Sequence, residues 1–291
     1  MWMTLGVLFV AVCIVLLAVM VYDSTRFVTV SYQLRVPHLK KRMRIVLLAD
    51  LHNKRYGEKN QKLLDAVDEQ KPDVVLCAGD LITSKPKASM DNAMDLVSAL
   101  AGKYPFYYGN GNHEYRIFHE PGTYGRMGER WRAFLKGCHV RMLENACIFL
   151  EEYNVRICGL NLPTSCYKKL DRGKIDKKAL NRFLGKHEDG VCNILLAHNP
   201  AFFETYAEWG AELTLSGHVH GGIVRLPWIG GILSTSLTLF PRYDGGLYEK
   251  DGRKMVISRG LGSHTIPVRL FNPAELVSIE LIPEDKNGNG A

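Results

Sequence analysis

The first 22 residues carry a single polar side chain, Thr4. At 1.5 Å per residue, about 20 apolar residues span a hydrocarbon core of about 30 Å. Residues 1–22 are therefore expected to form a transmembrane anchor. A cleaved signal peptide would want a basic start and a small-x-small site; no Lys or Arg precedes the run, and Ala18-Val19-Met20-Val21 is a poor site. A core helix would be shorter and amphipathic.

Beyond the anchor, short apolar runs alternate with helical spacing. Residues 27–35 alternate in character and read as a strand ended by Pro37, and 44–49 read as a strand buried on both faces. Residues 58–70 place Leu63, Leu64 and Val67 on one helical side and stop at Pro72. A strand at 74–78, a helix at 90–100 (Met94, Val97, Leu100) and a strand at 106–108 follow. That β-α-β-α-β order implies parallel strands joined by crossover helices.

The remainder is richer in strands. Residues 147–151 and 155–159 form a hairpin around Glu152-Tyr153-Asn154, and 192–197, 212–216, 255–258 and 276–281 are further strands. Asp251-Gly252 marks a tight turn, and helices are expected near 177–184 and 201–208. Two sheets with helices outside, an α/β sandwich, accommodate this set. The chain of 291 residues, 46% hydrophobic, suffices for one large domain. The expected organisation is an anchor at 1–22, a domain at 23–283 and a polar, flexible tail at 284–291.

Charge and cysteines add less. The net charge is +7, and eight of the nineteen residues from Lys168 to Lys186 are Lys or Arg. This is either a solvated helix face or a funnel for an anionic substrate or lipid head. It lacks the aromatic interleaving of a nucleic-acid groove, so nucleic acid is not the expected partner. Arg26, Arg35, Lys40, Lys41, Arg42 and Arg44 follow the span, so the positive-inside rule leans towards a cytoplasmic domain on the cell membrane. The seven cysteines are odd in number with no C-x-x-C pair, and are read as free thiols.

The strand ends carry the chemistry. The run 44–49 leads into Asp50-Leu51-His52, 74–78 into Gly79-Asp80, and 106–108 into Gly111-Asn112-His113-Glu114. The run 192–197 ends in His198, and 212–216 leads into Gly217-His218-Val219-His220-Gly221-Gly222. Ligands bind outside the carboxyl ends of strands in open α/β sheets, so five strands deliver carboxylates, an amide and imidazoles to one edge. Asp50 and His52, and likewise His218 and His220, are two apart and would point the same way in extended backbone. Asp80 has two oxygens and can bridge two cations. A donor set of carboxylate, amide and imidazole without thiolate suits Mn, Fe, Zn or Mg rather than a structural zinc.

This series resembles the calcineurin-like metallophosphoesterases over residues 44–281. Ser258-Arg259-Gly260-Leu261-Gly262, Pro267-Val268-Arg269 and Phe271-Asn272-Pro273 resemble its bacterial membrane-associated branch, which includes UDP-diacylglucosamine hydrolases. The resemblance implies a four-layer α-β-β-α sandwich and two divalent metal ions, manganese favoured. It implies metal A on Asp50, His52, Asp80 and His220, and metal B on Asp80, Asn112, His198 and His218. Leu81-Ile82-Thr83-Ser84 stands where phosphoprotein phosphatases continue with Asp-Arg-Gly, which argues against that branch. Paired cations would lower the pKa of a shared water and give hydroxide near neutral pH. His113, beside Asn112, is the candidate catalytic residue, stabilising charge or protonating the leaving group, while Glu114 is expected to orient its neighbours. His119 and His264 are the other histidines expected near the cleft.

The expected function is a phosphodiesterase or pyrophosphatase acting on a phosphorylated small molecule or membrane lipid precursor. The apolar run 223–240, with Trp228, reads as core hairpin or as a lip for acyl chains. The alternatives are a scaffold that kept the fold without catalysis, and a nuclease.

Overall fold

The computed structural model describes residues 1–168, 173–222, 224–226, 229–233, 239–263 and 268–284. Trp228, His264, part of the basic stretch and the tail from 285 onward lie outside them.

The chain opens with α1 (Trp2–Thr25), β1 (Phe27–Val36) and β2 (Met43–Leu48), then α2 (Gln61–Gln70), β3 (Val74–Cys77), α3 (Asp91–Ala101) and β4 (Phe106–Gly109). Helices α4 (Asn112–His119), α5 (Pro121–Tyr124) and α6 (Met127–Gly137) lead to β5 (Arg141–Leu143), β6 (Ala146–Leu150) and β7 (Val155–Leu160). Next come α7 (Lys177–Leu184), β8 (Cys192–Ala197), α8 (Phe203–Trp209) and β9 (Leu213–Ser216). Strands β10 (Val224–Leu226) and β11 (Gly230–Leu233) make a small ribbon before β12 (Gly246–Lys250), β13 (Arg253–Ile257) and β14 (Ala274–Pro283).

Two six-stranded sheets result, ordered β1-β14-β2-β3-β4-β5 and β12-β13-β9-β8-β7-β6. In the first, β2 to β5 run parallel; in the second, β7, β8, β9 and β13 do. Alternate residues of each central strand face opposite ways, which divides the core into layers. Ile45, Leu47 and Leu76 meet Ile194, Leu196 and Leu215 between the sheets. Val46, Leu48 and Val75 pack outward on Leu63, Leu96 and Trp131 of α2, α3 and α6. Leu160 and Leu195 pack on Leu180 of α7 and Trp209 of α8. The order is helix, sheet, sheet, helix, as the resemblance implied.

Helix α1 is long and apolar enough to cross a membrane, and its apolar side chains are exposed. It runs three residues past Tyr22, because the buried Asp23 pairs with Arg26 at 2.9 Å and closes the last turn. The helical segment expected from residue 58 opens as a short 3-10 turn over Glu58–Asn60 and becomes α-helical at Gln61. Asn60 holds a left-handed φ of 64°, its Oδ1 accepting from Tyr56 N–H at 2.9 Å and its amide donating to Asn92 O at 2.8 Å. Helices α4 to α6 were not expected, although Met127, Trp131 and Leu135 of α6 recur every four residues and are buried.

The free-thiol reading holds for Cys13, Cys77, Cys138, Cys166 and Cys192 and fails for two. Cys147 and Cys158 are direct partners across the β6–β7 hairpin, with Cα atoms 4.1 Å apart, and form a disulfide. A search for C-x-x-C spacing misses such a pair; the hairpin register, centred on Glu152-Tyr153, sets it. Alkylation of the denatured, unreduced chain is expected to modify five thiols and no more. Seven adducts by mass spectrometry would mean the pair stays reduced.

Candidate metal centre

Each ligand candidate sits just past a strand end: Asp50 after β2, Asp80 after β3, Asn112 after β4, His198 after β8, His218 and His220 after β9. Because β2, β3 and β4 are parallel in one sheet and β8 and β9 in the other, all of these ends share one edge. His198 ties the sheets together there, its Nδ1–H donating to Ala78 O at 2.6 Å. Asn112 is not in a loop: it opens α4 behind Gly111.

The expectation of extended backbone at the x, x+2 pairs is corrected. Asp50, His52, Asp80, His218 and His220 have φ of 52°, 48°, 57°, 74° and 53°. Left-handed backbone costs a non-glycine residue about 1–2 kcal/mol, so neighbouring turns must hold these residues in place. Asp50 N–H donates to Gly79 O at 2.9 Å and His52 N–H to Asp80 O at 3.1 Å. His218 N–H donates to Asp50 Oδ2 at 2.9 Å. The turns therefore brace one another, and Gly79 (φ 96°) lets two of them touch, since a Cβ there would overlap Gly111 N. A Cβ on Gly111 would in turn overlap Asp80 Oδ1.

Among the described residues three overlapping groups result, Asp50-His52-His220, His52-Asp80-His113 and Asp80-His198-His218, each with candidate ligand atoms within 4.8 Å of one another. His52 Nε2 lies 3.1 Å from His220 Nε2, which is 3.4 Å from Asp50 Oδ1. His198 Nε2 lies 3.1 Å from Asp80 Oδ2 and 3.8 Å from Asp50 Oδ1. Ring nitrogens each about 2.1 Å from a shared ion span such distances. Asn112 Oδ1 is buried with no hydrogen-bond partner among the described residues, as suits a ligand atom awaiting a cation. The residues present fit a metal centre.

Asp50 and Asp80 are both fully buried. Burial pushes the Asp50 carboxyl up to about 7, against the pull of His198. Burial also opposes the charge on Asp80, but His198 and His113 outweigh it and hold Asp80 well below the usual carboxylate range. His198 shows the converse: burial would lower it, and Asp80 raises it to about 9. Protons here do work that a cation does more fully, since ligating imidazoles must be neutral and carboxylates charged.

Ser84 N–H donates to His113 Nδ1 at 2.7 Å, which leaves the ring proton on Nε2, 3.8 Å from Asp80 Oδ2. Glu114 is a buried brace, as expected. It accepts from Asp80 N–H at 2.8 Å, Gly111 N–H at 2.9 Å and Tyr108 O–H at 2.7 Å. His119 stands apart, exposed at the end of α4 and stacked on Tyr115 at 4.0 Å.

Sequence reasoning missed Ser84, and also Tyr167, a buried phenol whose ring meets His218 edge-on at 4.9 Å. It quoted Arg269 and Asn272 without a role. Arg269 is buried and donates to the carbonyls of Arg259, Gly260, Gly262 and Asn272. Asn272 donates to His220 O and Gly222 O, each at 2.8 Å. Polar residues after the last ligand motif, set among the apolar Val268, Leu270 and Phe271, were the available signal.

A two-sheet sandwich with a carboxylate and imidazole cluster across its parallel strand ends defines a class of metal-centred α/β proteins. The sequence pattern of the calcineurin-like phosphoesterases matches residues 43–222, more than half of the chain, and the chain belongs to that family. It is 30% identical over 254 residues to an uncharacterized metallophosphoesterase of Campylobacter jejuni, covering 86% of this chain and 62% of that one. It is 28% identical over 244 residues to the phosphodiesterase YaeI of Escherichia coli, covering 82% of each. It is 28% identical to a zebrafish transmembrane protein with a metallophosphoesterase domain, covering 85% of this chain and 55% of that one. The chain thus spans about 62% of the length of the first curated relatives it matches.

Replacing Glu114 by Ala strands three buried donors at roughly 1–3 kcal/mol each. A loss of about 3 kcal/mol or more is expected in urea unfolding of the full chain. A loss under about 1 kcal/mol would show that the brace is dispensable.

Proposed function

We propose that the chain is a dinuclear metal-dependent phosphoesterase, a phosphodiesterase or pyrophosphatase, acting on a small or lipidic phosphate ester at the membrane. The observation that carries this reading is the chain of three overlapping ligand groups joined through His52 and Asp80. Asp50, His52, Asp80 and His220 would hold one cation, and Asp80, Asn112, His198 and His218 the other. When bound, such a pair lowers the pKa of a shared water and offsets charge on the phosphoryl oxygens. Manganese is the favoured metal, with iron, zinc and magnesium compatible with the same donors.

The chain's own residues do the positioning. His113 N–H fixes Asp80 Oδ1 at 2.8 Å, leaving Oδ2 for the centre. His113 Nε2–H is turned to the same carboxylate and is placed to stabilise negative charge on the leaving oxygen by a hydrogen bond. The relative YaeI is named a phosphodiesterase, which favours the diester among the possible esters.

Helix α1 supports attachment to a membrane. On the question of side, the Cys147–Cys158 disulfide favours an oxidising face, opposite to the cytoplasmic lean. The basic residues behind that lean are built into the fold: Arg26 pairs with Asp23, Lys41 with Glu152 and Arg42 with Glu280. Folded domains translocate largely regardless of such charges.

Full-length protein loaded with manganese is expected to hydrolyse an aryl phosphodiester. Asp80→Ala should lose bound metal and turnover together. His113→Ala should lower turnover about 10²- to 10⁴-fold with metal content unchanged. Metal analysis beside steady-state rates checks both, and equal metal loss in the two variants would make His113 a ligand. A fully loaded wild type inert on every aryl mono- and diester would favour the scaffold reading.

A further inference from the structure

Among the described residues, six large apolar side chains outside α1 gather where no core cluster claims them: Leu226, Ile229, Leu239, Phe240, Leu247 and Phe271. Ile229, Leu239 and Phe240 are 63%, 65% and 65% exposed. All but Leu239 line one groove of about 540 Å³, and Leu239 joins it by a bridge to Leu233 of β11. Phe240 and Phe271 also hold left-handed φ of 47° and 53°, which bulky residues seldom adopt. A soluble surface seldom gathers so many apolar side chains into one patch without a partner.

The patch adjoins the end of α1. Ser24, in the last turn of α1, accepts from Arg269 N–H at its hydroxyl (3.2 Å) and from Lys54 Nζ at its carbonyl (2.8 Å). Phe271 follows Arg269 by two residues, so it lies within about 8 Å of it along the chain. Leu270, between them, bridges to Val224 and accepts from Arg225 N–H at 3.1 Å, which places β10 one strand spacing further. The last turn of α1, with Asp23, Ser24 and Thr25, is where the helix turns polar and would leave the hydrocarbon. The headgroup layer there is about 5–8 Å deep. Phe271 and β10 thus lie close to the point where α1 would leave the hydrocarbon, the zone in which exposed apolar and aromatic side chains enter a bilayer surface.

We propose that the β10–β11 ribbon, with Leu239, Phe240, Leu247 and Phe271, is a second membrane contact that seats the domain on the bilayer from which α1 emerges. This rests on α1 being a span. The arginines of the groove do not drive the contact, since Arg225 pairs with Asp244, Arg242 with Glu204 and Arg259 with Glu275. Neutral lipid therefore suffices. The contact also orients the metal turn. Asn272, next to Phe271, holds the carbonyls of His220 and Gly222, and Arg259 of the groove packs against Gly221. An ester group at headgroup level is thereby brought to the ligand cluster.

The test reconstitutes the full chain in phosphatidylcholine vesicles containing a phospholipid with a photoactivatable carbene precursor near its glycerol backbone, and maps labelled peptides by mass spectrometry. Label is expected on α1 and on the peptides bearing Ile229, Phe240 and Phe271. In a chain carrying Ile229→Asp and Phe240→Asp, both at exposed positions, label on those peptides should fall about tenfold or more while label on α1 holds. Label on α1 alone in the wild type overturns the proposal and leaves the anchor standing; a second copy of the chain covering the patch would give that result. Label on neither removes the anchor reading and the proposal with it. Undiminished label in the double variant also overturns it.

Discussion

Two carboxylates, Asp50 and Asp80, are removed from water and set around one imidazole, His198. Like charges in a dry site repel strongly, and the arrangement lasts only where positive charge is supplied. Protons on the histidines supply part of it, and the donor set is shaped for cations to supply the rest. Much of the architecture follows from that demand. The sheets present parallel strand ends to one edge, His198 links them, and Glu114 and Arg269 satisfy the backbone of the turns that carry the ligands.

Those turns carry strain, and the strain is distributed. Five candidate ligand residues hold left-handed backbone, and hydrogen bonds between turns add to those within them, such as Gly222 N–H to Val219 O. Asp50 is fixed by Gly79, His52 by Asp80 and His218 by Asp50. Glycines stand where one turn presses on the next, at Gly79 against Gly111 and at Gly111 against Asp80. A site so coupled is rigid, which suits chemistry that depends on fixed donor positions.

The same coupling reaches the end of α1. Arg269 lies between the Asp50 turn, through the carbonyls of Gly260 and Gly262, and the last turn of α1, through Ser24. The residues that hold the centre together therefore also hold the domain against the helix, and the orientation of one constrains the other.

Much of this was legible in the residues. Mainly apolar runs such as those of β2, β3 and β8 mark buried parallel strands, because a strand covered on both faces takes a polar side chain only where it is hydrogen-bonded, as Asn193 of β8 is to Glu212 and to the carbonyls of Glu188 and Val191. The candidate ligands could be picked out because carboxylates and imidazoles recur directly after such runs at five strand ends. Helices α4 to α6 were less so, since α4 starts on a ligand, and polar functional residues mask its periodicity. The Cys147–Cys158 bond was missed because it depends on strand register rather than on spacing.

What the sequence by itself determined is the layer order, the edge where the candidate ligands collect and the apolar first helix, all consequences of local patterning. Only the tertiary structure decided the left-handed turns, the tautomer of His113 set by Ser84, the service of Arg269 to four carbonyls and the exposed patch beside α1. Each of these depends on groups far apart in the chain meeting at hydrogen-bond distance, and no local pattern encodes which distant partner a turn will find.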